Sequence, residues 1–152
     1  MKSKFYESLN RQALALLEGE DDLVAAMANF SALLNDNLTE VNWVGFYVMR
    51  GEQLVLGPFQ GKVACTRIPL GKGVCGTAAY TNQTQRVADV HQFDGHIACD
   101  SASNSEIVVP VRANGKVVAV LDIDSPIFDR FDEDDQKGLE LLVKSFENCL
   151  FD

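Results

Sequence analysis

Positive charge is scarce in this chain. Across 152 residues Lys and Arg number 13 against 22 Asp and Glu, a formal net charge of −9. That charge repels a phosphate backbone and an anionic bilayer surface, so neither nucleic acid nor a membrane surface is an expected partner. No apolar run approaches the roughly 20 residues a membrane span needs. Lys2 and Lys4 are followed by no apolar stretch of the kind a secretory signal carries, and a cytoplasmic protein is expected. Internal repeats, low-complexity tracts and linkers are missing too. What remains is an ordinary globular mixture, 47% hydrophobic and 23% charged, and at this length one domain over 1–152 is expected.

The four cysteines are Cys65, Cys75, Cys99 and Cys149. In a secreted chain this short they would suggest a disulfide framework. In the cytoplasm thiols stay reduced, and the disulfides that form are usually transient and catalytic. A zinc set of Cys65, Cys75, His91, His96 and Cys99 has suitable ligand types, but the chain has no C-x2-C pair and the ligands are widely spread. His91 and His96 read better as loop anchors. Cys149 lies on the apolar side of the last expected helix and reads as a buried, inert thiol. Cys75 sits just inside a glycine turn and is open to a structural or a reactive role. Cys99 lies in a polar loop beside Asp100, a setting that suits a reactive thiol.

The first 40 residues read as two helices. Phe5, Leu9 and Leu16 mark one apolar stripe; Leu23, Met27, Phe30 and Leu34 mark the next, opened by Asp21 and Asp22. Asn42–Met49 and Gln53–Phe59 read as strands about a Gly51-Glu52 turn. A short helix follows Gly71-Lys-Gly-Val-Cys-Gly76 and ends near Asn82. This G-x-G-x-x-G stretch lacks the long crossover helix that a dinucleotide site requires and reads as a tight turn. Arg86-Val87 is a short strand candidate. Residues 88–105 look irregular yet carry the apolar anchors Val90, Phe93 and Ile97, so an ordered, functional loop is expected. Glu106–Arg112 and Lys116–Ile123 form a hairpin about Asn114-Gly115. A helix capped near Asp132 closes the chain, its buried side marked by Leu139, Leu142, Val143, Phe146 and Leu150. Hairpin-linked strands with helices at both ends make an α+β fold: a central antiparallel sheet with the end helices on one face.

Two groups of strand residues carry chemistry. Trp43 and Tyr47 share a face with Gly45 between them, so they either pack the core or wall a small pocket. Asp122 and Asp124 share a face near Glu106. Solvated strand ends are the simple explanation. If all three point inward, crowding and desolvation hold protons on them at neutral pH, and a protonated carboxyl can donate to an oxygen atom. The hairpin register decides between these. A two-residue Asn114-Gly115 turn without a bulge pairs Glu106 with Ile123 and splits the group. A three-residue loop pairs Glu106 with Asp122 and unites it.

These stretches, NWVGFY (42–47), LGPFQGKVACTRIPLGKGVCGTA (56–78), DVHQFDGHIACDSASNSEIVVPV (89–111) and VLDIDS (120–125), resemble the free methionine-(R)-sulfoxide reductases, a family built on a GAF domain. The resemblance runs effectively full length. It implies reduction of free methionine-(R)-sulfoxide with Cys99 as nucleophile, Cys65 as resolving thiol and Cys75 as an auxiliary cysteine. Glu106, Asp122 and Asp124 would bind the sulfoxide oxygen, and Trp43 and Tyr47 would line the substrate pocket, with Trp43 against the methyl group. It implies sulfenic acid and disulfide chemistry without a metal or bound cofactor, thioredoxin as the external reductant, and a family in which dimers are common. A GAF sensor module that holds a small ligand without turnover is the alternative.

Overall fold

A computed structural model describes residues 1–95 and 103–152. Helices α1 (Lys2–Leu17) and α2 (Leu23–Asn37) precede strands β1 (Trp43–Arg50), β2 (Gln53–Gly61) and β3 (Arg67–Pro69). Helix α3 (Gly73–Thr81) and β4 (Gln85–Val87) come next, then a 3-10 turn (Val90–Gln92), β5 (Ser105–Ala113), β6 (Lys116–Ser125) and α4 (Glu133–Phe151). The strands form one sheet in the order β3-β2-β1-β6-β5-β4, and each neighbouring pair is antiparallel. Its two edges are three-residue strands, short enough to offer little template for unwanted pairing.

The alternation of the three central strands creates two cores. Val44, Phe46, Ile107, Val109, Leu121 and Ile123 point to one face, where α1, α2 and α4 cover them. Trp43, Tyr47, Val108 and Val120 point to the other, which α3 covers. The end helices therefore share a face, as the sequence pattern requires. The buried stripe of α1 is not Phe5, Leu9 and Leu16 but Tyr6, Leu9, Ala13 and Leu17. Packing on α4 sets this phase: the Tyr6 ring lies where a side chain on Gly138 would stand, and its hydroxyl donates to buried Asp135 at 2.7 Å. Asp132 and Asp135 form the reciprocal cap that opens α4. Cys149 is half-buried at the rim of this core and carries a free thiol, more open than the apolar stripe suggested because α4 is near its end there.

Strand β3 has no counterpart in the sequence reading. It spans only Arg67–Pro69, too short for a period-2 pattern, and is held by pairing with Gln53–Val55. Helix α3 connects β3 to β4, strands at opposite edges of the sheet. No parallel crossover exists in this unit, so the glycine stretch serves the turn. Gly71 and Gly73 adopt positive φ, and their N–H groups donate to the carbonyls of Gly76 and Gly95.

Candidate active site

The register of β5 and β6 differs from both sequence alternatives. Asn114 and Gly115 form the tight turn, with φ of 53° and 78°, the two positive values of a type I′ hairpin. Arg112 then faces Val117, but Val111 faces Ala119, which leaves Val118 as an extra residue. This bulge restores the parity that the tight turn alone would lose. Glu106 pairs with Asp124, rather than with Asp122 or Ile123, and Asp122 pairs with Val108. The three acids end on one face.

Strand β1 completes the grid. Trp43 lies beside Asp124, Gly45 beside Asp122 and Tyr47 beside Val120. One row across the sheet thus reads Trp43, Asp124, Glu106; the next reads Gly45, Asp122, Val108. The space over Gly45 is filled. Gly45 faces Phe59 of β2, and a Cβ built on it would stand 2.2 Å from the Phe59 Cβ. The glycine admits a close neighbour instead of leaving a hollow. Phe59 stacks on Trp43 with centroids 5.0 Å apart, and Trp43 stacks on Tyr47 at 5.8 Å. Phe59 therefore belongs to the aromatic wall. A glycine amid bulky strand residues was the only signal for it, because its partner depends on strand pairing.

Helix α3 lays Cys75 over the acids. Its thiol contacts Glu106 Oε2 at 4.0 Å, and ligating atoms of Cys75, Glu106 and Asp122 lie within 4.8 Å of one another. All three are buried, as is Asp124. Burial pushes the Glu106 carboxyl well above the usual carboxylate range, and the charges of Asp122 and Asp124 push it further. Burial also raises Asp122, opposed by hydrogen bonds with Glu106 and Cys75. The Cys75 thiol is driven up by burial and by the charges of Asp122, Glu106 and Asp124, so it stays a neutral thiol at pH 7. Asp122 Oδ1 is buried without a hydrogen-bond partner. A buried orphan oxygen is costly, and a protonated acid in that place can donate to a ligand oxygen.

The described members of the zinc set, Cys65, Cys75 and His91, do not form a cluster. Cys65 is in a disulfide, whereas Cys75 and Cys149 are free. The His91 ring meets Asn104 Oδ1 at 2.9 Å, the loop-anchoring role expected for it. Both flanks of the 88–105 segment are fastened: Gly95 to Gly73, and Asn104 to Val90 and Ser125. Cys99, His96 and Ile97 lie outside the described residues.

A helix-covered antiparallel sheet with a buried polar face beneath a short helix is the architecture of the GAF class, and a GAF domain family model matches residues 19–150. The free methionine-R-sulfoxide reductase of Escherichia coli is 56% identical over 98% of this chain and 90% of its own length. A solved Staphylococcus aureus structure, fRMsr in its reduced form, superposes with a TM-score of 0.93 at 57% identity, covering 95% of this chain and 94% of that one. The free methionine-R-sulfoxide reductase of Neisseria meningitidis in complex with its substrate gives a TM-score of 0.94 at 43% identity, over 98% of this chain and 90% of that one. The chain belongs to the GAF-domain family of free methionine-R-sulfoxide reductases. Among the described residues no helix is long and apolar enough to cross a membrane.

Proposed function

We propose that this protein reduces free L-methionine-(R)-sulfoxide to methionine, with Cys99 as nucleophile and Cys65 as resolving thiol. The observation that carries this reading is the buried acid cluster with the orphan Asp122 oxygen, in a chain 56% identical to a reductase of that name.

A sulfoxide oxygen leaves sulfur readily only when it is protonated or strongly hydrogen-bonded. Glu106, whose carboxyl burial pushes well above the usual carboxylate range, supplies that donor in a site shielded from water. The Cys99 sulfur takes the oxygen and becomes a sulfenic acid, while the methionine sulfur is reduced and released. The Cys65 thiol then displaces water from the sulfenic acid: an S–S bond forms, and the S–O and S–H bonds break. A dithiol reductant, thioredoxin in this reading, returns both cysteines to thiols by exchange. Cys65 is held as a disulfide while Cys75 and Cys149 remain free, which agrees with Cys65 as the resolving partner. Cys75 is too strongly held as a neutral thiol to be the nucleophile; its role is auxiliary, as a weak donor beside the acids. Preference for the free amino acid follows if the site grips both charged ends, since a peptide would leave those grips buried and unpaired.

The test is methionine release from the R epimer with a dithiol reductant. Wild type should turn over continuously, and Cys99→Ser should release nothing. Cys65→Ser should release about one methionine per chain and then stall with thioredoxin. A protein that binds the sulfoxide but never releases methionine is a ligand-holding sensor module, and the proposal fails.

A further inference from the structure

Segment 62–65, between β2 and β3, has no regular secondary structure. Val63 within it is 89% exposed. Such a stretch needs ties from elsewhere to hold one shape, and two side chains provide them. The Tyr47 hydroxyl donates to the Cys65 carbonyl at 3.0 Å, and the Trp43 indole N–H donates to the Lys62 carbonyl at 3.1 Å. Both aromatics are about 2% exposed and stack on each other on rigid β1. They hold the segment at both ends through the main-chain carbonyls of Lys62 and Cys65, and neither bond engages the Cys65 sulfur.

We propose that Tyr47, assisted by Trp43, is a positioning residue for the resolving step: its hydroxyl holds the Cys65 backbone so that this thiol stays within reach of the sulfenic acid. The inference rests on the function proposed above, and it gives Tyr47 a task distinct from lining the substrate pocket. Burial above all keeps the phenol protonated and therefore a donor across the working pH range. In the step concerned, the Cys65 thiol attacks the sulfenic sulfur; its proton and the sulfenic hydroxyl leave as water, and no further oxidant is consumed. The tether keeps that thiol at high effective concentration.

Tyr47→Phe removes the hydroxyl and retains the ring. In single-turnover experiments with methionine sulfoxide, quenched with a thiol-alkylating reagent and mapped by mass spectrometry, the disulfide step should slow more than methionine release, which reports any loss of pocket contact. Appearance of the Cys65 disulfide should slow by several-fold, up to about tenfold, the scale of one hydrogen bond. A sulfenic-acid trap such as dimedone should label the variant more than wild type. In a Cys65→Ser background, which forms no disulfide, adding Tyr47→Phe should change the rate of the single methionine burst by less than it slows the disulfide when Cys65 is present. Disulfide formation at the wild-type rate in Tyr47→Phe, or a slowing of it no greater than that of methionine release, overturns the positioning role. Wild type that releases methionine without forming a Cys65 disulfide overturns the assignment of Cys65 as resolving thiol instead, so the two failures are distinct.

Discussion

The two faces of the sheet are built from the same three strands, one residue out of step, and they serve opposite ends. On the face under α1, α2 and α4, Phe46 meets Phe30 and Phe146 at centroid distances of 5.9 and 5.3 Å, amid aliphatic neighbours. Burial there is favourable throughout. On the face under α3 the same strands bury Glu106, Asp122 and Asp124 beside a thiol. That face gives up stability for chemistry: the Glu106 carboxyl, which would ionise in water, is pushed well above its ordinary range. The comparison shows how β-alternation lets one sheet hold a rigid support and a strained polar site back to back, separated by the thickness of a strand.

Substitutions sharpen the contrast. The largest effect is expected at the acids. Glu106→Gln should lower turnover by about 100- to 10,000-fold, the usual range for losing a positioned proton donor, while the fold survives. Its stability relative to wild type should depend on pH. The Glu106 carboxyl lies well above 4.5 in the folded protein, so the native state binds more protons than the unfolded chain above that pH. Wild-type stability from this group is therefore present below about 4.5 and lost as pH rises. Denaturant titrations should show the variant gaining on wild type from pH 5 upward; parallel curves would contradict a protonated Glu106. Phe46→Ala should do the reverse. It should cost about 3–5 kcal/mol of stability by emptying a packed site, and chemical denaturation would measure this. Activity per folded molecule should change far less than in the acid variant.

The smallest effect concerns the exposed end of α4. Asp132→Ala removes a helix cap worth about 1 kcal/mol, visible as a lower Tm. Hydrogen bonds from Lys2 and from the Asp135 backbone hold the Asp132 carboxyl down to about 2. Its contribution is present above the ordinary value of 3.8 and is lost as pH falls toward 2. The variant should therefore lose less stability than wild type over that acid range, with no change at the sulfur site.

The fold was largely readable because its signals are local. The helix pattern of α2 and α4, the Asp132 cap, the Asn114-Gly115 turn and the alternation of β1, β5 and β6 each depend on residues a few positions apart. Where local signals were weak, the reading slipped. The α1 stripe was displaced by one residue at both ends because Phe5 and Tyr6 are both aromatic, and only the fit against Gly138 chooses Tyr6. The site was half readable. Trp43, Tyr47, Cys75 and the three acids come together, yet Phe59 and the ties to Lys62 and Cys65 went unseen.

By itself the sequence determined which groups are available: four thiols, three acids on the two strands of one hairpin, two aromatics two residues either side of a glycine, and enough apolar surface to bury them. It left open whether the acids meet. That was decided by a single extra residue, Val118, whose bulge offsets the tight turn and returns Glu106 to the face of Asp122 and Asp124. Pairing register also decided that Phe59 covers Gly45 and that Tyr47 reaches the Cys65 carbonyl. The physical reason is the same in each case. Side-chain type is a property of the residue, but the face it points to and the partner it meets depend on the cumulative parity of strands that come together only when the chain folds.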